Sequence, residues 1–141
     1  MILGFTGTRD GMTASQQASF RGLLTEEVTG FHHGCCLGAD ADAARIAAEA
    51  GHMIVFGHPS DLPAMTSKVA VAGCDAVCPP QPPLARNRAI VSACESLIAC
   101  PKGFAEERRS GTWATVRHAV RTGKPVTVVW PDGTVSTKWG T

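Results

Sequence analysis

The sequence predicts an α/β fold: a single Rossmann-like three-layer domain over residues 1–141, with a mainly parallel sheet of about five strands and helices on both faces. Two observations carry the prediction. Short apolar runs, continuous and not alternating, are separated by segments with helical spacing. Continuous apolar runs are what strands buried on both faces need. Gly, Ser, Thr and charged residues then gather after the strands, while the opposite turns are plain.

Ile2 to Thr6 reads as the first strand, and Thr13 to Val28 as a helix capped by Thr13 or Ser15. Phe31 to Leu37 is the second strand. Ala39 to Ala50 is an alanine-rich helix closed by Gly51. Met53 to Phe56 is the third strand. The stretch from His58 to Pro83 holds six of the nine prolines and is expected to be an irregular insert. Within it, Lys68 to Ala72 is a short helix or strand and Asp75 to Cys78 a brief strand. Regularity returns with a helix at Leu84 to Cys94, a strand at Ser96 to Cys100 and a helix at Gly111 to Arg121. Val126 to Trp130 is the final strand. Pro131-Asp132-Gly133 turns into a short tail, residues 131–141.

No apolar run approaches the roughly 18–20 residues that span a bilayer. The N-terminal segment has no basic region and no cleavage site, so a cytoplasmic protein without membrane contact is expected. The formal net charge of +1 offers no broad basic field for gripping long nucleic acid. Cys35, Cys36, Cys74, Cys78, Cys94 and Cys100 sit mostly in apolar settings and read as reduced core thiols. Cys74 and Cys78, with His32-His33 and Cys35-Cys36, are zinc-ligand types, but no paired knuckle spacing accompanies them. Neither a metal nor a resident cofactor is expected.

In an open parallel sheet, ligands bind beyond the carboxyl ends of the strands. The first strand delivers Gly7, Thr8 and Arg9 there; the second delivers Gly38, Ala39 and Asp40. Ser110, Gly111 and Thr112 open the helix after the fourth, where free backbone N–H groups suit phosphate. Ser110 is a ligand contact, a cap or both, and Asp40 a cap or an acceptor for a ribose hydroxyl. Arg86-Asn87-Arg88 begins another helix, and paired arginines beside a loop suit bidentate phosphate contacts. Trp113 either stacks on a base or packs its helix.

Taken in order, Gly7-Thr8-Arg9, Gly34-Cys35-Cys36-Leu37-Gly38-Ala39-Asp40, Arg86-Asn87-Arg88, Ser110-Gly111-Thr112-Trp113-Ala114-Thr115 and Gly123-Lys124-Pro125-Val126 resemble the SLOG superfamily. The likeness runs from Gly4 to Trp130 and is strongest to the DNA-processing protein A and YpsA-like branches. It implies a Rossmann-like fold, a nucleotide or nucleic-acid-end ligand, and a homo-oligomer such as a dimer. The phosphoribohydrolases of the same superfamily carry a glutamate in their glycine-rich motif. Aligned on Gly111-Thr112, Thr115 stands there, and threonine is no carboxylate base.

The leading expectation is therefore binding of a nucleotide or nucleotide-derived small molecule, as a sensor, carrier or sequestering protein. One alternative is a nucleoside 5'-monophosphate N-glycosidase, whose candidate carboxylates are Asp40, Asp61, Glu106 and Glu107. The other is single-stranded DNA binding, which the low aromatic content disfavours because few rings are left to stack on bases.

Overall fold

The computed structural model describes residues 1–139, with side chains through 137. The described residues form one sheet of seven strands with helices on both faces. In chain order these are β1 (Ile2–Gly7), α1 (Ala14–Leu23), β2 (Gly30–His33), α2 (Ala39–Ala50), β3 (Ile54–Gly57), a 3₁₀ turn (Pro63–Met65), α3 (Lys68–Ala72), β4 (Ala76–Val77), α4 (Pro83–Ala93), β5 (Ser96–Cys100), α5 (Gly111–Arg121), β6 (Val126–Val129) and β7 (Val135–Trp139). The strand order is β4-β3-β2-β1-β5-β6-β7, parallel except for β7 on β6. Two elements lift the count above about five. The brief strand at Asp75 to Cys78 is present as Ala76–Val77, and the tail supplies β7. Its turn is the expected Pro131-Asp132-Gly133, closed by Trp130 N–H donating to Thr134 O at 2.8 Å. The missed signal is alternation: Val135, Thr137 and Trp139 are spaced two apart, as on an edge strand. Residues 140–141 of the expected tail lie outside the described residues.

Two apolar layers flank the sheet. Phe5, Phe20 and Phe31 meet between β1, β2 and α1, with ring centroids 5.3–6.0 Å apart, and Ile46 and Ala43 of α2 complete that layer. On the other face Ile90 and Val91 of α4 and Trp113 and Val116 of α5 cover Leu97, Ala99 and Val128. Gly4 is required here, because a Cβ would stand 2.8 Å from Sγ of Cys94, the residue that ends α4. No helix among the described residues is long and apolar enough to cross a membrane.

Two expected elements are shorter than their sequence pattern. The first helix stops at Leu23, not Val28, because Leu24 leaves helical angles (φ −85°, ψ 62°) and Val28 N–H turns back to Thr25 O at 3.0 Å. The second strand stops at His33, where the backbone turns toward Asp40.

Gln16 ties the α1 face together. Its backbone N–H donates to Thr13 Oγ1 and its Oε1 accepts from Thr13 N–H, both at 3.0 Å, forming a capping box. Its buried Nε2 donates to Pro101 O at 2.8 Å and Val129 O at 3.0 Å. Gln16→Leu removes the three side-chain bonds and strands their partners. It is expected to cost on the order of 3 kcal/mol, or about 10 °C of melting temperature, measured by thermal unfolding.

Candidate functional site

The carboxyl ends of β1, β2 and β5 open onto a cavity of about 900 Å³. It lies where the chain reverses the strand order, β2 to one side of β1 and β5 to the other. Its floor is the loop after β1. Thr8 O accepts from Ala39 N–H at 2.8 Å, and Thr8 Oγ1 accepts from Asp10 N–H at 3.1 Å. Gly38 lies directly on the Arg9 backbone with φ +84° and ψ −125°. That close approach joins the loops after β1 and β2. Gly7 serves the same junction, since its Cβ would stand 2.5 Å from Ala39 Cβ.

Asp40 holds the loop after β2. Its Oδ2 accepts from Gly34 N–H at 3.0 Å and Cys36 N–H at 3.1 Å. Burial pushes its carboxyl above the ordinary carboxylate range, against the opposing pull of His33, these N–H groups and Arg86.

Arg86 comes from α4 and is buried. Its Nη1 donates to Gly34 O at 2.6 Å and His58 O at 3.3 Å, and its Nε donates to Asn87 Oδ1 at 2.8 Å. All these acceptors are neutral. The four ion pairs among the described residues leave it out. Its one nearby negative group is the Asp40 carboxyl, which it pulls on without an ion pair, and a buried guanidinium whose hydrogen bonds go to neutral acceptors favours a further anion beside it.

The third wall is the start of α5. Ser110 Oγ accepts from Trp113 N–H at 3.3 Å, while Gly111 and Thr112 face the cavity with the first-turn N–H groups that a helix leaves unpaired. Nothing stands within 4 Å of a Cβ built on Gly111, so the approach to this helix end is open. Arg9, Lys102, Arg108 and Arg109 add positive charge to the lining. With Arg86 that makes five basic side chains against three acidic ones, Asp10, Asp40 and Glu107.

Of the expected ligand-binding residues, Gly7, Thr8, Arg9, Asp40, Arg86, Asn87, Ser110, Gly111 and Thr112 line this cavity. Gly38 and Ala39 lie behind it and shape the junction. Arg88 is exposed elsewhere on α4, near His118, whose pKa is lowered by burial first and then by Arg88 and Arg121. Trp113 is fully buried against Trp130, with ring centroids 5.9 Å apart. Thr115 is buried and donates its hydroxyl to Gly111 O at 3.0 Å. Among the expected carboxylates, Asp40 and Glu107 line the cavity. Asp61 is exposed and outside the lining, between Ser60 and Leu62, which belong to it, and Glu106 pairs with Arg117 at 3.5 Å. Arg108 and Arg109 were not singled out by the sequence. Their signal is a charged run, Glu106 to Arg109, in the loop between a central strand and the next helix.

A histidine layer supports the wall behind Arg86. His32 Nδ1 and His58 Nε2 share one hydrogen at 2.8 Å, and His32 stacks on Phe56 at 4.4 Å. Burial, then His32, His33 and Arg86, hold His58 down to about 4 from an ordinary 6.5. The unfolded chain therefore takes up this proton near pH 6.5 and the folded chain near pH 4. Below pH 6.5 the unfolded state binds more protons, so stability falls as pH drops through that window. The expected loss is on the order of 2–3 kcal/mol, read from denaturant unfolding at stepped pH. His58→Gln should flatten the slope.

No family model matches the chain, and a search of curated proteins finds no match. Solved structures share its fold. A molybdenum cofactor binding protein from Rippkaea orientalis superposes with a TM-score of 0.68 at 23% identity, over 92% of this chain and 76% of that one. A molybdenum cofactor carrier protein from Chlamydomonas reinhardtii gives 0.66 at 22%, over 90% and 74%. The structural-genomics target TM1055 gives 0.64 at 15%, over 89% and 72%.

Proposed function

We propose that this protein binds a small, phosphate-bearing, nucleotide-derived ligand in the cavity and holds it without chemistry, as a carrier or sequestering protein. The observation that carries the reading is Arg86: a buried cation on the cavity wall whose hydrogen bonds all go to neutral acceptors. The α5 start lines the same cavity, so one ligand is offered both a guanidinium and backbone N–H groups. The molybdenum cofactor, for which two of the solved neighbours are named, is the ligand we assign first. It is anionic and phosphate-bearing, as the wall requires, and its metal is cargo. Adenine nucleotides are the second class.

The test is direct. Ligand released by denaturing the purified protein is identified by mass, and thermal unfolding is run against the cofactor and a nucleotide panel. A ligand at 100 times its dissociation constant raises stability by about 2.7 kcal/mol. No copurified ligand and no shift with either class would sink the reading.

One observation favours an N-glycosidase instead. Asp40 is a buried carboxyl pushed upward at the cavity wall, as a general acid would be. Against it, Oδ2 already braces two backbone N–H groups. Release of free base from nucleoside monophosphates, lost in Asp40→Asn, would establish that reading. A flat time course removes it. The same proposal takes the protein as a cytoplasmic homo-oligomer, with light scattering as the check on its assembly.

A further inference from the structure

Behind the cavity, on the side of β3, lies a cluster that ligand binding does not use. His33, Cys35 and Cys74 bring one ring nitrogen and two sulfurs within 4.8 Å of one another. The sequence pairs Cys74 with Cys78 by spacing; the fold pairs it with Cys35 and His33. Both sulfurs stand where Gly57 lacks a side chain, 2.6 and 2.7 Å from the position its Cβ would take. Any other residue there would push them apart.

The residue types are those of a zinc or copper site, but the hydrogen bonds are not. Cys35 N–H donates to His33 Nδ1 at 3.0 Å, so the ring hydrogen sits on Nε2. Nε2 is the nitrogen that faces Cys74, with its Sγ at 3.4 Å. A metal on Nε2 would force the hydrogen onto Nδ1, directly against the Cys35 N–H. The ring is placed to donate toward Cys74 Sγ, which favours its thiolate, while Ala70 O, 3.2 Å from the same sulfur, accepts the hydrogen of the thiol form.

Cys35 is placed just as firmly. Its N–H is held by His33 and its carbonyl accepts from Ser67 N–H at 2.8 Å. It is the only non-glycine with positive φ (+56°) among the described residues, a conformation that costs on the order of 1–3 kcal/mol. Hydrogen bonds from Cys35 and His33 lower the Cys74 thiol below its ordinary range, opposed by burial and Asp75. The Cys74 bond, burial and Asp40 raise Cys35. The two sulfurs are thus driven in opposite directions, Cys74 toward its thiolate and Cys35 toward its thiol. Cys36, Cys94 and Cys100 are all raised, chiefly by burial.

We infer that Cys74 is a site of reversible oxidation by hydroperoxides, with Cys35 as its resolving thiol. The Cys74 thiolate attacks the peroxide O–O bond. An S–O bond forms, the O–O bond breaks, and the departing hydroxide takes a proton and leaves as water. The Cys35 sulfur then attacks the sulfenic sulfur. The S–S bond forms, the S–O bond breaks, and the hydroxyl leaves as a second water with the Cys35 proton. Two thiols are oxidised by two electrons and one hydrogen peroxide is reduced. The sulfurs close to the roughly 2.05 Å of a disulfide, which ties the loop after β2 to the end of α3.

The experiment uses the full chain with limiting hydrogen peroxide and peptide mass mapping. The expected product is a Cys35–Cys74 cross-link, lighter by two hydrogens and restored by a thiol reductant, formed before the other four cysteines change. On the unoxidised wild-type protein, alkylation by iodoacetamide at pH 6 should be at least about tenfold faster at Cys74 than at Cys36 or Cys78. Cys35→Ser should leave a Cys74 sulfenate that a dione reagent traps. Oxidation that simply follows exposure, alkylation at equal rates, or stoichiometric zinc bound by the purified protein and shielding both thiols would each overturn the assignment. The alkylation test needs no variant, so a misfolded substitution does not protect the idea.

Discussion

Arg86→Gln is expected to remove ligand binding while leaving a cooperatively folded protein. The glutamine keeps a hydrogen-bonding head near Gly34 O and His58 O, the two carbonyls that Arg86 holds. It takes away the cation. Losing one partner of a buried charge pair costs about 2–5 kcal/mol, roughly 30- to 5,000-fold in affinity. Calorimetric titration with the cofactor or nucleotide that stabilises the wild type reads this directly. Arg88→Gln is the control on the same helix, and its affinity should match the wild type within about twofold, because the side chain lies outside the cavity. Equal affinity in the wild type and Arg86→Gln would move the anion off Arg86.

The second large effect is structural. Gly38→Ala is expected to cost about 4 kcal/mol, and more than 10 °C of melting temperature by the usual proportion of roughly 3–4 °C per kcal/mol. The angles at Gly38 are those only glycine adopts, and its Cβ would meet the Arg9 backbone, which has no flexible end to yield. Gly111→Ala provides the contrast. Its Cβ meets open space, so unfolding should change by less than about 1 kcal/mol, while the added methyl narrows the approach to the α5 N–H groups. An unchanged melting temperature for Gly38→Ala would mean that the two loops are not locked together as described.

Much of the fold was legible because burial on both faces leaves a plain mark. Leu97-Ile98-Ala99-Cys100 and Val126-Thr127-Val128-Val129 read as parallel strands, and they pair in register. β7 was less legible, since half of an edge strand is exposed and Val-Ser-Thr-Lys-Trp has the polarity of a tail. The site divides in the same way. Glycine-marked segments at Gly7 and Gly111 announce themselves. Arg86-Asn87-Arg88 announces a basic helix start but not which arginine turns inward. Residues two apart on a helix point about 200° away from each other, so one arginine in the wall sends the other out. Neighbours on a helix are about 100° apart, and Trp113 faces the sheet while Thr112 faces the cavity. Arg108 and Arg109 belong to a loop without periodicity, where sequence carries no direction. The cluster of His33, Cys35 and Cys74 joins residues up to 41 positions apart; only the β2–β3 pairing and the missing side chain of Gly57 bring it together.

The contact of Gly38 on Arg9 has a consequence for binding kinetics. It makes the loops after β1 and β2 one preorganised body, so a ligand that docks there has no loop to order first. Loop ordering is among the costs that separate buried area from affinity. On this side of the cavity selectivity is therefore set by shape already in place. Opposite it, Lys102, Arg108 and Arg109 are exposed and long, and among the described residues the one ion pair on their side chains is that of Lys102 and Glu107 at 3.8 Å. That side can adjust to the part of a ligand that varies, while the fixed side selects the part that does not.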